Sequence, residues 1–296
     1  MPLRLQVWLE ASRPKTLAAA VVPVAVATAF AFGHAAAHWS KAALCLAFAL
    51  LVQIGTNFAN DYFDYRSGAD AANRVGPRRA VAAGLVTPRA MRWATGLVLA
   101  AAFGVGLFLV TDGNWVLLPV GIASIACAIA YTGGPFPLGY NGLGDVFVFI
   151  FFGLVAVGVT FYVQAGFVTG AVWLSGAAIG LLAANILVAN NYRDAETDAA
   201  AGKRTLVVRF GRRFAVWQYG VSAGFALSSG GWLYFSTGYG WLVLLPMGLL
   251  PWALRLTLRL ARSNDAREQI ALLGASARLL FFFGILLGIG AAFGRS

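Results

Sequence analysis

Two short acidic segments carry most of the chemistry open to this chain of 296 residues. The first reads Asn57-Phe58-Ala59-Asn60-Asp61-Tyr62-Phe63-Asp64 and continues through Gly68 to Asp70. On a helix, Asn57, Asn60, Asp61 and Asp64 stand three and four positions apart and share one face. The second reads Asn190-Asn191-Tyr192-Arg193-Asp194-Ala195-Glu196-Thr197-Asp198, where Asn190 or Asn191, Asp194 and Asp198 again fall on one side. Each is a one-sided comb of oxygen donors. Carboxylates crowded together repel one another and are costly to desolvate, so they call for a neutralising partner. Hard divalent cations meet that need, and Mg2+ takes one or two carboxylates plus the oxygens of a substrate phosphate. Basic residues follow each comb: Arg66, Arg74, Arg78 and Arg79 after the first, Lys203 and Arg204 after the second. Carboxylates, Mg2+ and a ring of cations describe a diphosphate site.

The elements that must hold these combs are membrane helices. Hydrophobic residues make up 60% of the chain and charged ones 11%, with a mean hydropathy of +0.76. That composition excludes a soluble globular protein, whose charged fraction is roughly a quarter. Nine apolar stretches can be marked, at about 17–36, 41–60, 90–111, 114–132, 145–164, 170–191, 214–236, 240–260 and 272–293. The expectation is an all-α, polytopic membrane protein, a single unit over residues 1–296, whose first apolar stretch is a transmembrane helix and not a secretory signal.

The net charge of +11 would point to nucleic acid in a soluble chain; here it reads as topology, with no nucleic-acid partner. With the N-terminus cytoplasmic and nine spans, 20 of the 22 Lys and Arg fall on the cytoplasmic side, leaving Lys41 and Arg295 outside with the C-terminus. Both combs then lie at cytoplasmic helix ends, 133 residues apart, which hints at two related halves. Cys45 and Cys127 fall inside apolar stretches and read as packing residues, and His34 and His38 lie on the opposite side from the acids.

Between the fourth and fifth stretches, the segment Tyr131 to Asp145 is rich in Gly and Pro and contains no base. Tyr131, Phe136 and Tyr140 are candidates for an aromatic wall, and Asp145 for an N-cap or a substrate contact. Arg13-Pro14-Lys15 precedes the first stretch, where Arg13 and Lys15 could reach an anionic substrate or anchor the interface.

Together, Asn57 to Asp64, Gly76-Pro77-Arg78-Arg79-Ala80-Val81, Tyr131 to Asp145 and Asn190 to Leu206 resemble the UbiA superfamily of intramembrane aromatic prenyltransferases, and within it the menaquinone branch. The resemblance covers nearly the whole chain and rests on several long motifs in order. It implies nine transmembrane helices around a central cavity that opens laterally to lipid, capped by two cytoplasmic loops. It also implies that Asp61 and Asp64 on one side and Asp194 and Asp198 on the other hold Mg2+ ions that bind a polyprenyl diphosphate, supported by Asn57, Asn60 and Asn191. Many members place a further Asp four residues after the second acid of the first motif; here Gly68 stands there and Asp70 two residues later, a further candidate metal ligand.

The implied reaction joins the prenyl group to 1,4-dihydroxy-2-naphthoate with loss of pyrophosphate and CO2, giving demethylmenaquinol at a bacterial cytoplasmic membrane. Lys203, Arg204 and Arg78 would stabilise the leaving group, Lys203 as a catalytic residue, with Arg79 and Lys15 also binding substrate. Tyr131, Tyr140, Phe149 and Tyr162 are candidates to shield the allylic cation. Alternatives are another aromatic acceptor such as 4-hydroxybenzoate, or a secondary transporter, since paired intramembrane acids also occur there.

Overall fold

Long runs of Ala, Leu, Val and Phe with few charges leave the backbone no partner but itself in lipid, and helices satisfy that demand within one segment. The computed structural model describes residues 3–70, 78–110 and 114–294, and its elements are helices. In order they are α1 (Leu3–Ala11), α2 (Pro14–Gly33), α3 (Trp39–Arg66), α4 (Pro88–Val110), α5 (Leu117–Ala130), α6 (Gly144–Val148), α7 (Ala156–Ala165), α8 (Gly170–Arg193), α9 (Ala195–Ala200), α10 (Leu206–Thr237), α11 (Leu250–Arg262) and α12 (Ala266–Phe293). A π-helical segment, Phe149–Val155, joins α6 to α7, and a 3-10 segment, Trp241–Leu249, leads into α11.

Among the described residues, seven helical segments are long and apolar enough to cross a membrane. They are Thr16–Gly33, Trp39–Arg66, Pro88–Val110, Gly144–Ala165, Gly170–Arg193, Trp241–Arg262 and Ala266–Phe293. The chain is therefore a multi-span membrane protein, but length and composition alone do not give nine spans. The two remaining apolar stretches are helical and fall short for different reasons. At 14 residues, α5 is about 21 Å long. α10 sets Gln218, Ser222, Ser228 and Ser229 into its apolar run and breaks at Gly211, whose φ of 82° suits glycine. The helix α1, ahead of the first span, was not expected from the apolar pattern.

α8 runs through the middle of the bundle, with most of its residues buried. Its core neighbours include Phe30, Phe161, Tyr219, Phe283 and Leu287. Polar groups there are paired: Asn185 Nδ2 donates to the Tyr219 carbonyl at 3.0 Å, and the Tyr219 and Ser276 hydroxyls meet at 2.8 Å. Against the π segment α8 presents Gly176 and Gly180, four residues apart, a spacing that lets two backbones approach. A Cβ on Gly153 would come within 2.5 Å of the Gly176 carbonyl oxygen and 2.7 Å of Gly180 Cα.

α8 ends at Arg193, inside the second comb, with Asp194 as its C-cap. The first comb closes α3, and the loops after both helices meet the Tyr131 to Asp145 turn, where the Arg204 amide donates to the Tyr140 carbonyl at 2.7 Å. Arg209 staples the same junction, donating to the carbonyls of Arg204 at 3.0 Å and Asn141 at 2.9 Å. Overpacking the glycine contact should cost about 1–3 kcal/mol. Gly153→Val is expected to lower the thermal unfolding midpoint in detergent, whereas Gly104→Ala, whose Cβ meets nothing within 4 Å, should leave it unchanged.

Candidate active site

The Asp64 carboxylate gathers donors from three separate chain segments. Arg79 Nη2 reaches Oδ2 at 3.0 Å; the Tyr140 hydroxyl and Lys203 Nζ reach Oδ1 at 2.7 and 3.2 Å. Lys203 Nζ also lies 3.8 Å from Asp198 Oδ1 and 4.6 Å from the centre of the Tyr140 ring. One ammonium group thus joins the two acidic combs. Burial and the neighbouring Asp64 carboxylate push the Tyr140 hydroxyl well above its ordinary range, so it stays protonated and donates. Burial, then Asp145, raises Tyr131 in the same way.

The other acids are also partnered. Asp61, 2% exposed, accepts the backbone amides of Ala80 at 3.0 Å and Val81 at 3.1 Å, and so holds the loop that carries Arg79. Arg79 spans that loop, with Nε on Asp70 Oδ1 at 3.2 Å. Asp194, 3% exposed, is clamped by the equally buried Arg193, through Nε at 2.7 Å and Nη2 at 2.6 Å, and Asn190 Nδ2 lies 3.4 Å away. Among the described residues, no three Asp, Glu, His or Cys side chains stand close enough together to hold an ion by themselves. Arg79, Arg193 and Lys203 neutralise acids of both combs, and Asp64, Asp194 and Asp198 border a common space.

That space is a cavity of about 360 Å³. Its head is lined by Arg13, Asn57, Asn60, Asp64, Arg79, Tyr131, Tyr140, Asn190, Asn191, Asp194, Asp198 and Lys203. Its body is apolar, walled by Val24, Phe48, Leu117, Phe147, Phe151 and Val159, with both cysteines at its edge. Along α3, from Asp64 to Phe48, it extends about 24 Å. Asn57 Nδ2 donates to the Ser12 carbonyl at 2.9 Å, tying α3 to the α1–α2 turn, and Asn60 Oδ1 accepts from the Thr132 hydroxyl at 2.8 Å.

Most of the residues anticipated from sequence converge here, and several do not. Asp61 and Asp70 sit behind the lining, holding Arg79 and its loop. Arg78 and Arg204 are exposed and do not line the cavity. Arg204 contributes its backbone amide to Tyr140. Asp145 is buried away from the cavity and faces Gln218; the cap position of its helix is Leu143, so Asp145 is not the N-cap. Phe149 packs on Gly180, and the Tyr162 hydroxyl reaches Asn114, so neither lines the cavity; Phe147, Phe151 and Phe152 take that place. Arg66 lines a different concavity. Arg74 and the Lys15 side chain lie outside the described residues.

Two supporting groups escaped the sequence reading, Arg193 and Arg209, whereas Arg13, expected with Lys15 near an anionic substrate, lines the cavity. Arg13 precedes Pro14, which disfavours the right-handed helical region for it. It adopts φ 52° and ψ 67°, a left-handed turn between α1 and α2 that brings it beside Asp61 and Tyr131. The Arg-Pro pair was the available signal. For Arg193 there was none, because its partner is the adjacent residue in the chain.

Membrane-length helices enclose a cavity with an apolar body and a head of acids, amides and bases. The chain belongs to the UbiA prenyltransferase family, which it matches over residues 20–292. It is 47% identical to the 1,4-dihydroxy-2-naphthoate octaprenyltransferase of Mycobacterium tuberculosis over 206 residues, 69% of this chain and 70% of that one. The enzyme of the same name from Haemophilus influenzae is 39% identical over 222 residues, 70% of each chain. The fold matches a UbiA homolog from Archaeoglobus fulgidus bound to DMAPP and Mg2+, with a TM-score of 0.67 at 16% identity over 95% of this chain and 99% of that one. The apo UbiA homolog from Aeropyrum pernix gives 0.68 at 17% identity over 92% and 96%.

A hydrogen bond to a charged group contributes about 1.5–3 kcal/mol. Asp61→Asn should therefore speed hydrogen exchange at the Ala80 and Val81 amides about tenfold or more; unchanged protection would assign the loop's position to Arg79 alone.

Proposed function

We propose that this protein joins a polyprenyl diphosphate to 1,4-dihydroxy-2-naphthoate, releasing pyrophosphate and CO2 and giving demethylmenaquinol. The observation that carries this reading is the shared head of the cavity. Asp64 and Asp198, from opposite combs, already share one cation there, Lys203 Nζ, above an apolar body long enough for an isoprenoid tail. The names of the relatives support the choice of acceptor. The protein works in the bacterial cytoplasmic membrane with its N-terminus and both combs on the cytoplasmic side and its C-terminus outside, as the distribution of 20 of its 22 bases favours.

The donor set suits Mg2+: hard carboxylate oxygens from Asp64, Asp194 and Asp198 face one space, with Asp61 behind them keeping lone pairs beyond the two that its loop amides use. When bound, Mg2+ would neutralise the diphosphate and lower the energy of its departure. Lys203, Arg79 and Arg13 bind the phosphate oxygens and stabilise the charge that grows as the allylic C–O bond breaks. Tyr140, held protonated, keeps Asp64 and Lys203 in register. Phe147, Phe151 and Tyr131 exclude water from the allylic centre. The electron-rich ring carbon of the naphthoate forms the new C–C bond, and departure of its carboxylate as CO2 restores aromaticity.

In a pyrophosphate-release assay, Asp64→Asn and Asp194→Asn are each expected to lower turnover about 100-fold or more while leaving the fold intact, the scale of lost electrostatic stabilisation. Wild-type rates in both would refute the metal assignment. Lys203→Ala should mainly raise the KM for the diphosphate, by about tenfold. A panel of acceptors with one prenyl diphosphate decides between the naphthoate and 4-hydroxybenzoate, and flux without covalent product would favour a transporter.

A further inference from the structure

A second concavity, outside the site, lies between α3, α4 and α5. It has a volume of about 860 Å³ and apolar walls that include Ala59, Phe63, Leu99, Phe103, Ile122 and Ile129. One end is different in kind, being lined by Tyr62, Arg66 and Arg92. Arg66 Nη1 donates to the Tyr62 hydroxyl at 3.4 Å and its guanidinium stands 5.9 Å from that ring centre, while Arg92 acts on the same hydroxyl. Both arginines are exposed, and among the described residues no carboxylate forms an ion pair with either.

On α4 the lining residues Arg92, Thr95, Gly96, Leu99, Ala100 and Phe103 recur every three to four positions, a stripe along one face. From Arg92 to Phe103 it rises about 16 Å, close to half of a hydrocarbon core of about 30 Å. The floor is open at Gly96, where an added Cβ would meet nothing within 4 Å. Apolar walls alone are ordinary for a helix facing lipid. A groove one leaflet deep, with two guanidinium groups where a headgroup would lie, is not.

We propose that this groove holds one anionic phospholipid of the bilayer, its phosphodiester between Arg66 and Arg92 and an acyl chain along the α4 stripe. Basic pockets between membrane helices suit such headgroups. Among the described residues the groove lining holds no acid or amide of the kind that would bind a metal-bound diphosphate, so a singly charged phosphodiester is the better match. The site lies at the end of α3 that carries the first comb, in the same leaflet as the cavity head. It is separate from the proposed reaction and does not depend on it.

The test uses the full-length protein in nanodiscs of mixed phosphatidylglycerol and phosphatidylcholine, with retained lipid counted by native mass spectrometry. Wild type should retain one phosphatidylglycerol in preference to phosphatidylcholine. Arg66→Gln and Arg92→Gln should each weaken retention about fivefold, equivalent to the roughly 1 kcal/mol that a basic side chain gains at an anionic lipid surface. Arg66→Lys with Arg92→Lys should keep most of the preference, showing that the site survives substitution. Gly96→Phe, which fills the groove and leaves both charges in place, should abolish retention while prenyl transfer continues. Retention untouched by Gly96→Phe would reduce the effect to general surface charge and overturn the proposal, as would equal binding of both lipids. Stoichiometric displacement of the phospholipid by polyprenyl diphosphate would overturn its assigned occupant.

Discussion

Five carboxylates at one end of a membrane bundle, Asp61, Asp64, Asp70, Asp194 and Asp198, are withdrawn from water and call for cations and amides among them, and the rest of the structure depends on how that demand is met. A buried carboxylate left unpaired costs several kcal/mol. Lys203 answers it at the seam between Asp64 and Asp198, Arg79 between Asp64 and Asp70, and Arg193 beside Asp194. Each of these bases arrives on a loop or a helix end, so folding the loops and neutralising the acids are one event. The charge that would otherwise drive the combs apart therefore closes the head of the cavity.

The same arrangement prepares the site for an anion. Buried cations already paired to carboxylates are held in fixed positions and need little reorganisation when phosphate oxygens arrive. The apolar body continues the cavity into the bundle, so a lipid of the right kind meets hydrocarbon and charge in the order in which its own structure presents them. For the proposed prenyl diphosphate, affinity would come from both ends, and neither end alone would select it from other lipids or other anions.

Much of this was readable beforehand because the bilayer imposes its own ruler. Spans near 20 residues stand out from composition, and the helical spacing of Asn57, Asn60, Asp61 and Asp64 places them on one face without any tertiary information. Where contacts crossed between distant segments, the sequence was silent. Arg78 and Arg79 are adjacent and chemically equal, yet the loop turns one inward and the other to the exterior. Asp145 meets Gln218 from a helix far along the chain. α10 was marked as an apolar stretch at 214–236, but the sequence did not tell that its polar residues Ser222 and Ser229 are buried in the bundle.

The shortness of α5 has a consequence for depth. At about 21 Å it falls roughly 9 Å short of the hydrocarbon thickness, so irregular chain must cover the remainder. Backbone without helix survives at that level only against protein or a water-filled recess. The segment after α5 meets the condition: its amides at Leu138 and Gly139 return to the carbonyls of Ala130 and Tyr131. The cavity that Tyr131, Thr132, Gly139 and Tyr140 help to line therefore ends against a turn that satisfies its own backbone, and not against an open loop.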